Sequence, residues 1–271
     1  MLERVDVEFG AGLPGARLAL EGLDISFRSD ECVAVVGPTG AGKTTLLEVA
    51  SGLLAPTRGR VRADGRGGGG QSLRSVAGLV YQFPELQFFE DTVFDDVAFG
   101  PRRLGLSTDA VHERVQGALL RSGLEPGAFA GRSLATLSAG EKRRAAIAGI
   151  LALERPFLLL DEPTAGLDPA TREGILELLV AERSARGIVI VSHDLDLVDR
   201  VAERTVVMNA GVVVSDGRTR DVLSDVERLE GMGLAPPAEY VLISRLQRLA
   251  PAEAAAVRRT LLEGRLADAE R

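Results

Sequence analysis

Residues 32–54 read CVAVVGPTGAGKTTLLEVASGLL and combine a short apolar run, a glycine-rich turn and a helix-like segment. The turn, Gly37 to Thr44, fits the pattern G-x-x-x-x-G-K-[ST]. This pattern has its meaning only between a strand and a helix, and the residues on both sides supply that context. The stretch therefore predicts a buried strand that leads through a phosphate-binding loop into a helix.

Each position of this loop is a candidate contact for a nucleotide. Glycines let the backbone turn so that its N–H groups surround the β-phosphate, while Lys43 neutralises phosphate oxygens and Thr44 is placed to ligate Mg²⁺. The plainer alternative is a glycine-rich turn with an exposed lysine. The candidate nucleotide-binding residues are Gly37, Pro38, Thr39, Gly40, Ala41, Gly42, Lys43, Thr44 and Thr45.

Two more apolar runs, PFLLL (156–160) and GIVIV (187–191), resemble CVAVV, and helix-like segments lie between them. Short continuous apolar runs are typical of buried parallel strands in an α/β domain. Residues 2–9 and 18–28 instead partly alternate apolar with polar residues, as half-exposed antiparallel strands do. The predicted helices are Thr44–Leu54, Thr108–Ser122, Ala139–Leu153, Pro169–Arg186 and Leu195–Ala202.

The chain has 271 residues, a formal net charge of −7 and one cysteine, Cys32. This charge would repel a phosphate backbone, so we expect no nucleic acid as a partner. No run reaches the roughly 18 apolar residues that a spanning helix needs, and the N-terminus lacks the apolar core of a signal peptide. We therefore expect a cytoplasmic chain in which Cys32 is a buried, inert thiol.

Two strand ends carry polar side chains that suit phosphate chemistry. Asp161 and Glu162 follow the run PFLLL, and His193 follows GIVIV. Open α/β sheets bind their ligands at the carboxyl edge of the strands. Beside a phosphate loop, Asp161 is the expected magnesium partner, Glu162 the base that deprotonates the attacking water, and His193 a contact for the γ-phosphate.

Ser138 and Glu141 form a capping-box pattern at the start of the predicted helix from Ala139. A helix N-terminus also attracts anions, so a structural cap and a phosphate contact are compatible interpretations.

Two further segments stand outside this motif-bearing region. Gly65 to Ser72 is glycine-dense and predicts a flexible hairpin tip or loop. Beyond about Arg218 no strand pattern remains, and two amphipathic helices are predicted over Ala238–Leu249 and Pro251–Ala267. This tail is expected to be a separate element added to the nucleotide domain.

The motifs GPTGAGKT, Gln82, LSAGE, FLLLDEP, AGLD and VSHD occur in this order between residues 37 and 194. The set resembles the Walker A, Q-loop, signature, Walker B, D-loop and H-loop motifs of ABC ATPases. Three longer stretches are similar to the ATPase subunits of energy-coupling factor (ECF) transporters. They are YQFPELQFFEDTVFDDVAFGPRRLG (81–105), EKRRAAIAGILALE (141–154) and DEPTAGLDP (161–169).

The resemblance implies an α/β P-loop nucleotide-binding domain over residues 1–217, with an antiparallel β subdomain. A helical signature subdomain is implied over about 83–155. Residues 218–271 resemble the family's C-terminal helical extension, which implies a role in dimerisation.

The resemblance also implies two ATPase subunits that meet head to tail and share each ATP site. Catalytic roles fall on Glu162, His193 and Gln82, and Mg²⁺ ligation on Thr44, Gln82 and Asp161. Phe9 corresponds to an aromatic residue that stacks on adenine, although a core phenylalanine is an equally good interpretation. The residues implied to complete the partner's site are Ser138, Ala139, Gly140, Glu141 and Asp168.

The signature departs from the family's usual Leu-Ser-Gly-Gly-Gln at Ala139 and Glu141. Ala139 restricts the backbone, and Glu141 brings a negative charge towards the implied triphosphate. Glu141 is therefore either mainly a helix cap or a brake on the shared site.

The implied function is an ATPase that powers an ECF importer of vitamins or transition-metal ions from the cytoplasmic face of the membrane. Its implied partners are a second ABC ATPase subunit, a transmembrane scaffold subunit and a substrate-binding membrane subunit. The alternatives are the ATPase of another ABC importer, a low-turnover regulatory subunit, and a soluble ABC ATPase that acts on DNA or ribosomes.

Five of the nine phenylalanines lie between residues 83 and 99. This density predicts a docking surface, with a small satellite core as the alternative.

Overall fold

The computed structural model describes residues 1–10, 12–63, 73–249 and Val257. The strands within these residues are β1 (Leu2–Phe9), β2 (Arg17–Ile25), β3 (Cys32–Val36), β4 (Arg58–Val61), β5 (Ala77–Val80), β6 (Phe157–Asp161), β7 (Gly187–Val191), β8 (Arg204–Asn209) and β9 (Val212–Arg218). The helices are α1 (Lys43–Ala50), α2 (Val93–Arg103), α3 (Thr108–Arg121), α4 (Pro126–Phe129), α5 (Ala139–Leu151), α6 (Pro169–Glu182), α7 (Leu195–Val201), α8 (Thr219–Ser224), α9 (Val226–Gly231) and α10 (Ala238–Leu249).

The main sheet has six strands in the order β5-β6-β7-β3-β8-β9. All neighbours are parallel except β9, which pairs antiparallel with β8. The predicted parallel strands are thus confirmed, and every residue of CVAVV and GIVIV is buried. Along β3 the side chains alternate between two apolar clusters, Cys32, Ala34 and Val36 on one face and Val33 and Val35 on the other. Cover on both faces explains why these runs are apolar without a break.

A separate three-stranded antiparallel sheet has the order β2-β1-β4. Its inner residues, among them Val5 and Leu23, join β3 and α1 in one apolar cluster. The alternation over residues 2–9 and 18–28 therefore gave the correct strand type. The second strand ends at Ile25 rather than at residue 28.

The five helices predicted between Thr44 and Ala202 are present, and their ends differ from the expected ones by at most four residues. The largest differences are the early ends of α1, at Ala50, and of α6, at Glu182. After α1 the chain turns back, since Leu53 and Leu54 both donate to the Glu48 carbonyl. Helix α2 was not expected, because Gly100 and Pro101 interrupt its helical pattern.

Helices α8, α9 and α10 follow the last strand and pack against the main core. Leu223, Leu229, Tyr240 and Ile243 belong to the same apolar cluster as β3 and β6. The Tyr240 hydroxyl also donates to Asp199 Oδ1 on α7 at 2.6 Å. Helix α10 has the predicted bounds, and the tail is joined to the α/β core by buried side chains.

Two predicted features lie outside the described residues. They are the glycine-rich loop from Gly65 to Ser72 and, apart from Val257, the helix from Pro251 to Ala267. Across the part of the chain that the structure describes, no helix combines the length and apolar character required to cross a membrane.

Candidate active site

The loop between β3 and α1 depends on two glycines that approach neighbouring backbone closely. A Cβ on Gly37 would lie 2.1 Å from the Met208 carbonyl oxygen, and one on Gly42 would lie 2.4 Å from that of Ala19. Gly42 also has φ +96° at the point where α1 begins, a conformation that disfavours L side chains. The predicted strand, loop and helix are therefore present, and the sequence pattern has a steric cause.

Lys43 holds its ammonium group over this loop. Its Nζ donates to the Gly37 carbonyl at 2.7 Å and to the Pro38 carbonyl at 2.9 Å. Burial lowers the pKa of Lys43, while the carboxylates of Glu162 and Asp161 oppose that shift. A half-buried cation inside a turn of backbone N–H groups is suited to a phosphate.

Thr44 and Asp161 meet at the end of β6, although 117 positions separate them in the sequence. Thr44 Oγ1 donates to Asp161 Oδ2 at 2.6 Å. Burial raises the pKa of Asp161, and the Thr44 hydrogen bond, Lys43 and Arg143 each act in the opposite direction. This hydrogen bond brings together two side chains for which Mg²⁺ ligation is predicted, and the metal role itself stays a prediction.

This pair also fits the chemistry of Mg²⁺. The ion prefers oxygen ligands and is usually held by one or two protein groups together with water and substrate phosphates. Among the described residues no group of three or more His, Cys, Asp and Glu side chains could hold a metal alone. One hydroxyl and one carboxylate beside a phosphate loop would hold the ion only together with a nucleotide.

Glu162 and His193 lie side by side at the same edge. His193 Nδ1 is 2.8 Å from Glu162 Oε2, and the Glu162 N–H donates to the Val191 carbonyl at 2.9 Å. Glu162 has φ +48°, which costs a non-glycine residue of order 1 kcal/mol or more. The Glu162 carboxylate is largely buried, whereas the His193 ring is mostly exposed. A carboxylate and an imidazole therefore stand together at the carboxyl ends of β6 and β7.

Gln82 follows β5, the strand next to β6, and is half-buried. Two residues that the sequence did not single out hold the backbone just before Gln82. Gln87 and Arg143 both hydrogen-bond to the backbone of Tyr81, the residue before Gln82. Neither Gln87 nor Arg143 belongs to a recognisable local pattern. The one signal in the sequence is that each lies within a few residues of a motif, Gln87 after Gln82 and Arg143 after Glu141.

The signature segment begins α5 with both bonds of the predicted capping box. Glu141 N donates to Ser138 Oγ at 3.3 Å, and Glu141 Oε2 accepts from Ser138 N at 2.7 Å. Arg132 adds a contact that was not predicted, with Nη1 3.0 Å from Glu141 Oε1. The Ser138 backbone bond, followed by Arg132, lowers the pKa of Glu141. Glu141 is therefore both a cap and one half of an ion pair.

Asp168 caps α6 in a similar way, accepting from the N–H groups of Ala170 and Thr171 at 3.1 Å each. Its contact with a partner subunit stays a prediction.

Phe9 ends β1 and is 46% exposed, so the core interpretation of this ring is wrong. Stacking on adenine stays a prediction.

The phenylalanine-rich segment divides between core and surface. Phe88 and Phe94 pack against the main cluster, and Phe94 also contacts the ring of His112. Phe83, Phe89 and Phe99 are exposed, and the latter two rings stack with centroids 5.6 Å apart. The satellite-core interpretation therefore holds for Phe88 and Phe94, while a docking role for the three exposed rings stays a prediction.

Comparison with known proteins agrees with this geometry. Residues 20–165 match the ABC transporter family. The chain is 40% identical to the energy-coupling factor transporter ATP-binding protein EcfA2 of Clostridium perfringens, over 86% of this chain and 85% of that protein. It is 42% identical to EcfA2 of Symbiobacterium thermophilum, over 91% and 88% of the two chains.

Solved structures give the same result. CbiO1 of Clostridium perfringens, described as part of the ABC transporter complex cbiONQ, superposes with a TM-score of 0.73 at 33% identity, over 89% of this chain and 97% of that one. A dimeric ATP-binding cassette in a post-hydrolysis state, bound to ADP and phosphate, superposes with a TM-score of 0.71 at 28% identity, over 81% and 98%. The order of the motifs, the meeting of Lys43, Thr44, Asp161, Glu162 and His193 at one sheet edge and these similarities lead to one assignment: this chain is an ATP-hydrolysing member of the ABC transporter family, of the energy-coupling factor type.

Proposed function

We propose that the chain powers an importer of vitamins or transition-metal ions from the cytoplasmic face of the membrane. The convergence of Lys43, the Thr44–Asp161 pair and the Glu162–His193 pair at one sheet edge supports the ATPase step, and the observation that carries the importer is the similarity to ECF ATP-binding proteins. The ECF relatives align over most of the chain, which supports the same assignment.

In this proposal Thr44, Gln82 and Asp161 would hold Mg²⁺ together with the nucleotide, and the ion would neutralise phosphate charge there. Glu162 accepts a proton from the attacking water, and His193 contacts the γ-phosphate. The contact between His193 Nδ1 and Glu162 Oε2 fixes the orientation of both groups before the substrate arrives. The position of these groups at a strand end leaves the substrate side open.

A second ATPase subunit completes each site in the proposal. Its signature, Ser138 to Glu141, and its Asp168 would face the phosphate loop of the first subunit. Both segments stand at the starts of helices, α5 and α6, and the positive end of the α5 dipole favours an anion there.

The C-terminal tail, residues 218–271, is proposed to strengthen this dimer. Leu242 and Leu249 on α10 are 46% and 84% exposed. Leu242→Lys with Leu249→Lys should weaken self-association without disturbing the core. Sedimentation of the nucleotide-free variant would test this, and an unaltered dimer would contradict it.

The membrane partners are proposed to be a transmembrane scaffold subunit and a substrate-binding subunit. Phe83, Leu86 and Phe89, which lie between Gln82 and α2, and Phe99 on α2 are exposed apolar side chains. An exposed cluster of large apolar side chains marks an interaction surface. Its closeness to Gln82 in the sequence suits a contact that responds to the nucleotide.

The decisive experiment purifies the tagged chain from native membranes and measures ATP-dependent uptake after reconstitution of the co-purifying chains. The proposal expects membrane subunits in the complex and uptake of a vitamin or a transition-metal ion. Recovery of ribosomal or chromosomal proteins without a membrane subunit would overturn it. ATP binding without turnover in the complete complex would favour a regulatory subunit instead.

A further inference from the structure

The side-chain amide of Gln87 closes the loop that follows β5. Its Oε1 accepts from the Tyr81 N–H at 2.9 Å, and its Nε2 donates to the Leu79 carbonyl at 3.0 Å. Strand β5 is the edge strand of the main sheet, where backbone donors and acceptors need other partners. The amide therefore acts as one residue of a neighbouring strand would, and it ties residue 87 back to the end of β5.

Tyr81 is held by two further elements. Its carbonyl accepts from Arg143 Nη1 on α5 at 3.0 Å, and its hydroxyl donates to Glu48 Oε1 on α1 at 3.2 Å. Burial, with Glu48 nearby, raises the pKa of Tyr81 to about 12, so the hydroxyl remains a donor at neutral pH. The residue before Gln82 is thus fixed by the phosphate-loop helix, the signature helix and Gln87.

The Arg143 guanidinium is buried, which costs free energy. The residue is 4% exposed, and its Nε has no hydrogen-bond partner among the described residues. Burial of such a group costs free energy unless its other contacts compensate. The contact with the Tyr81 carbonyl is one such compensation.

The closed loop, residues 82–86, carries groups with two different exposures. Gln82 begins it and is half-buried beside the strand that bears Asp161. Phe83 and Leu86 are 54% and 77% exposed. Both ends of the loop are held at β5, one by the chain itself and the other by the Gln87 amide.

We propose that Gln87 is a positioning residue for ATP hydrolysis, which clasps residues 82–86 to β5 and thereby sets the place of Gln82. This inference rests on the proposed role of Gln82 at the metal ion. A residue that only stabilised the edge strand would show the same hydrogen bonds, so the test must separate the two roles.

The test compares Gln87→Leu with Gln116→Leu, a matched change on the exposed side of α3. ATP hydrolysis by the full-length chain is measured while ATP and Mg²⁺ are varied separately. Gln87→Leu should lower kcat roughly tenfold, because a misplacement of about 1 Å is enough for a loss of this size. It should also raise the Mg²⁺ concentration that gives half-maximal activity. The KM for ATP at saturating Mg²⁺ should stay within about twofold of the wild-type value. Gln116→Leu should match the wild type. Gln87→Glu, which keeps the acceptor for Tyr81 and loses the donor to Leu79, should be intermediate.

A double-variant cycle with Gln82→Ala separates this inference from the role of Gln82 itself. If Gln87 acts through Gln82, Gln87→Leu should have no further effect in the Gln82→Ala background. Additive losses, or a Gln87→Leu profile equal to that of Gln116→Leu, would overturn the proposal. If Gln82→Ala leaves the Mg²⁺ dependence of hydrolysis unchanged, Gln82 does not act at the metal ion. The proposed role of Gln82 would then be wrong, and the inference about Gln87 would fall with it. Thermal melting shows whether each variant is folded. If Gln87→Leu does not fold, the same measurements are made with Gln87→Glu.

Discussion

Arg132 Nη1 lies 3.0 Å from Glu141 Oε1, while the other oxygen of the same carboxylate closes the capping box of α5. The acidic residue in the signature is therefore paired with a cation of its own subunit. If the signature faces the partner's ATP, as proposed, Arg132 partly compensates the negative charge that Glu141 would present to the triphosphate.

This pair predicts the effect of changes in the signature. Glu141→Gln should keep the cap, because glutamine also serves in a capping box, and should change turnover less than about twofold. Arg132→Gln should lower turnover about two- to fivefold, because the unpaired Glu141 charge is worth up to about 1 kcal/mol at this partly exposed site. ATPase assays at low and high salt measure both effects, and salt should weaken them.

The double variant Arg132→Gln with Glu141→Gln provides the control for that pair. It should recover most of the lost turnover, because it removes both charges. A loss that persists in the double variant would mean that Arg132 acts on another group. A clear gain for Glu141→Gln alone would support the interpretation of Glu141 as a brake.

Glu162→Gln should slow ATP hydrolysis by about 10² to 10⁴ while ATP binding is preserved, because only the proton acceptor is lost. Single-turnover kinetics measure the chemical step, and equilibrium titration measures the binding. Glu173→Gln is the matched control, since Glu173 is an exposed carboxylate on α6 paired with Arg200. An unchanged single-turnover rate for Glu162→Gln would remove this residue from the role of general base.

Lys43→Ala should weaken ATP binding about 10- to 100-fold, because the triphosphate would lose a charged hydrogen bond in a half-buried loop. A titration with a fluorescent ATP analogue measures the affinity. Lys142→Ala is the control, because it removes the other lysine of the chain and leaves the phosphate loop intact. Equal affinity of Lys43→Ala and the wild type would contradict the assignment of the loop.

Asp161 and Asp168 predict opposite pH effects on the stability of the nucleotide-free chain. Burial raises the pKa of Asp161 above its usual 3.8, so the folded state binds this proton more readily than the unfolded state. The Asp161 carboxylate therefore destabilises the fold increasingly as the pH rises from about 3.8 through its folded-state pKa. Asp161→Asn should raise the melting temperature at neutral pH, with a gain that shrinks towards pH 4.

Asp168 has the reverse sign. Its hydrogen bonds with the Thr171 hydroxyl and backbone lower its pKa below 3.8, so its contribution is present at neutral pH and is lost as the pH falls below about 3.8. Asp168→Asn should lower the melting temperature at neutral pH, and the loss should disappear in acid. Thermal melting of both variants from pH 3 to 8 measures the differences from wild type. Differences of the same sign for the two variants would contradict the assignment of burial to Asp161 and of capping to Asp168.

Much of the fold and of the site could be predicted because it follows local rules. The period of apolar residues distinguishes buried from half-exposed strands, which gave β1, β3 and β7 their correct types. Parallel strands also bring their carboxyl ends to one edge, so the meeting of Thr44 with Asp161 could be expected across 117 positions.

The contacts that hold the site in place came only from the tertiary structure. The bond from Arg143 to Tyr81, across 62 positions, and the ion pair of Arg132 with Glu141 depend on how α5 is placed relative to its neighbours. The positive φ of Glu162 leaves no trace in local composition either. The amino-acid sequence alone determined which side chains stand at the sheet edge, because the spacing of apolar residues and the residues of the turns are local features. Packing decided their orientation, because a hydrogen bond requires a distance and an angle that only the assembled helices and strands supply.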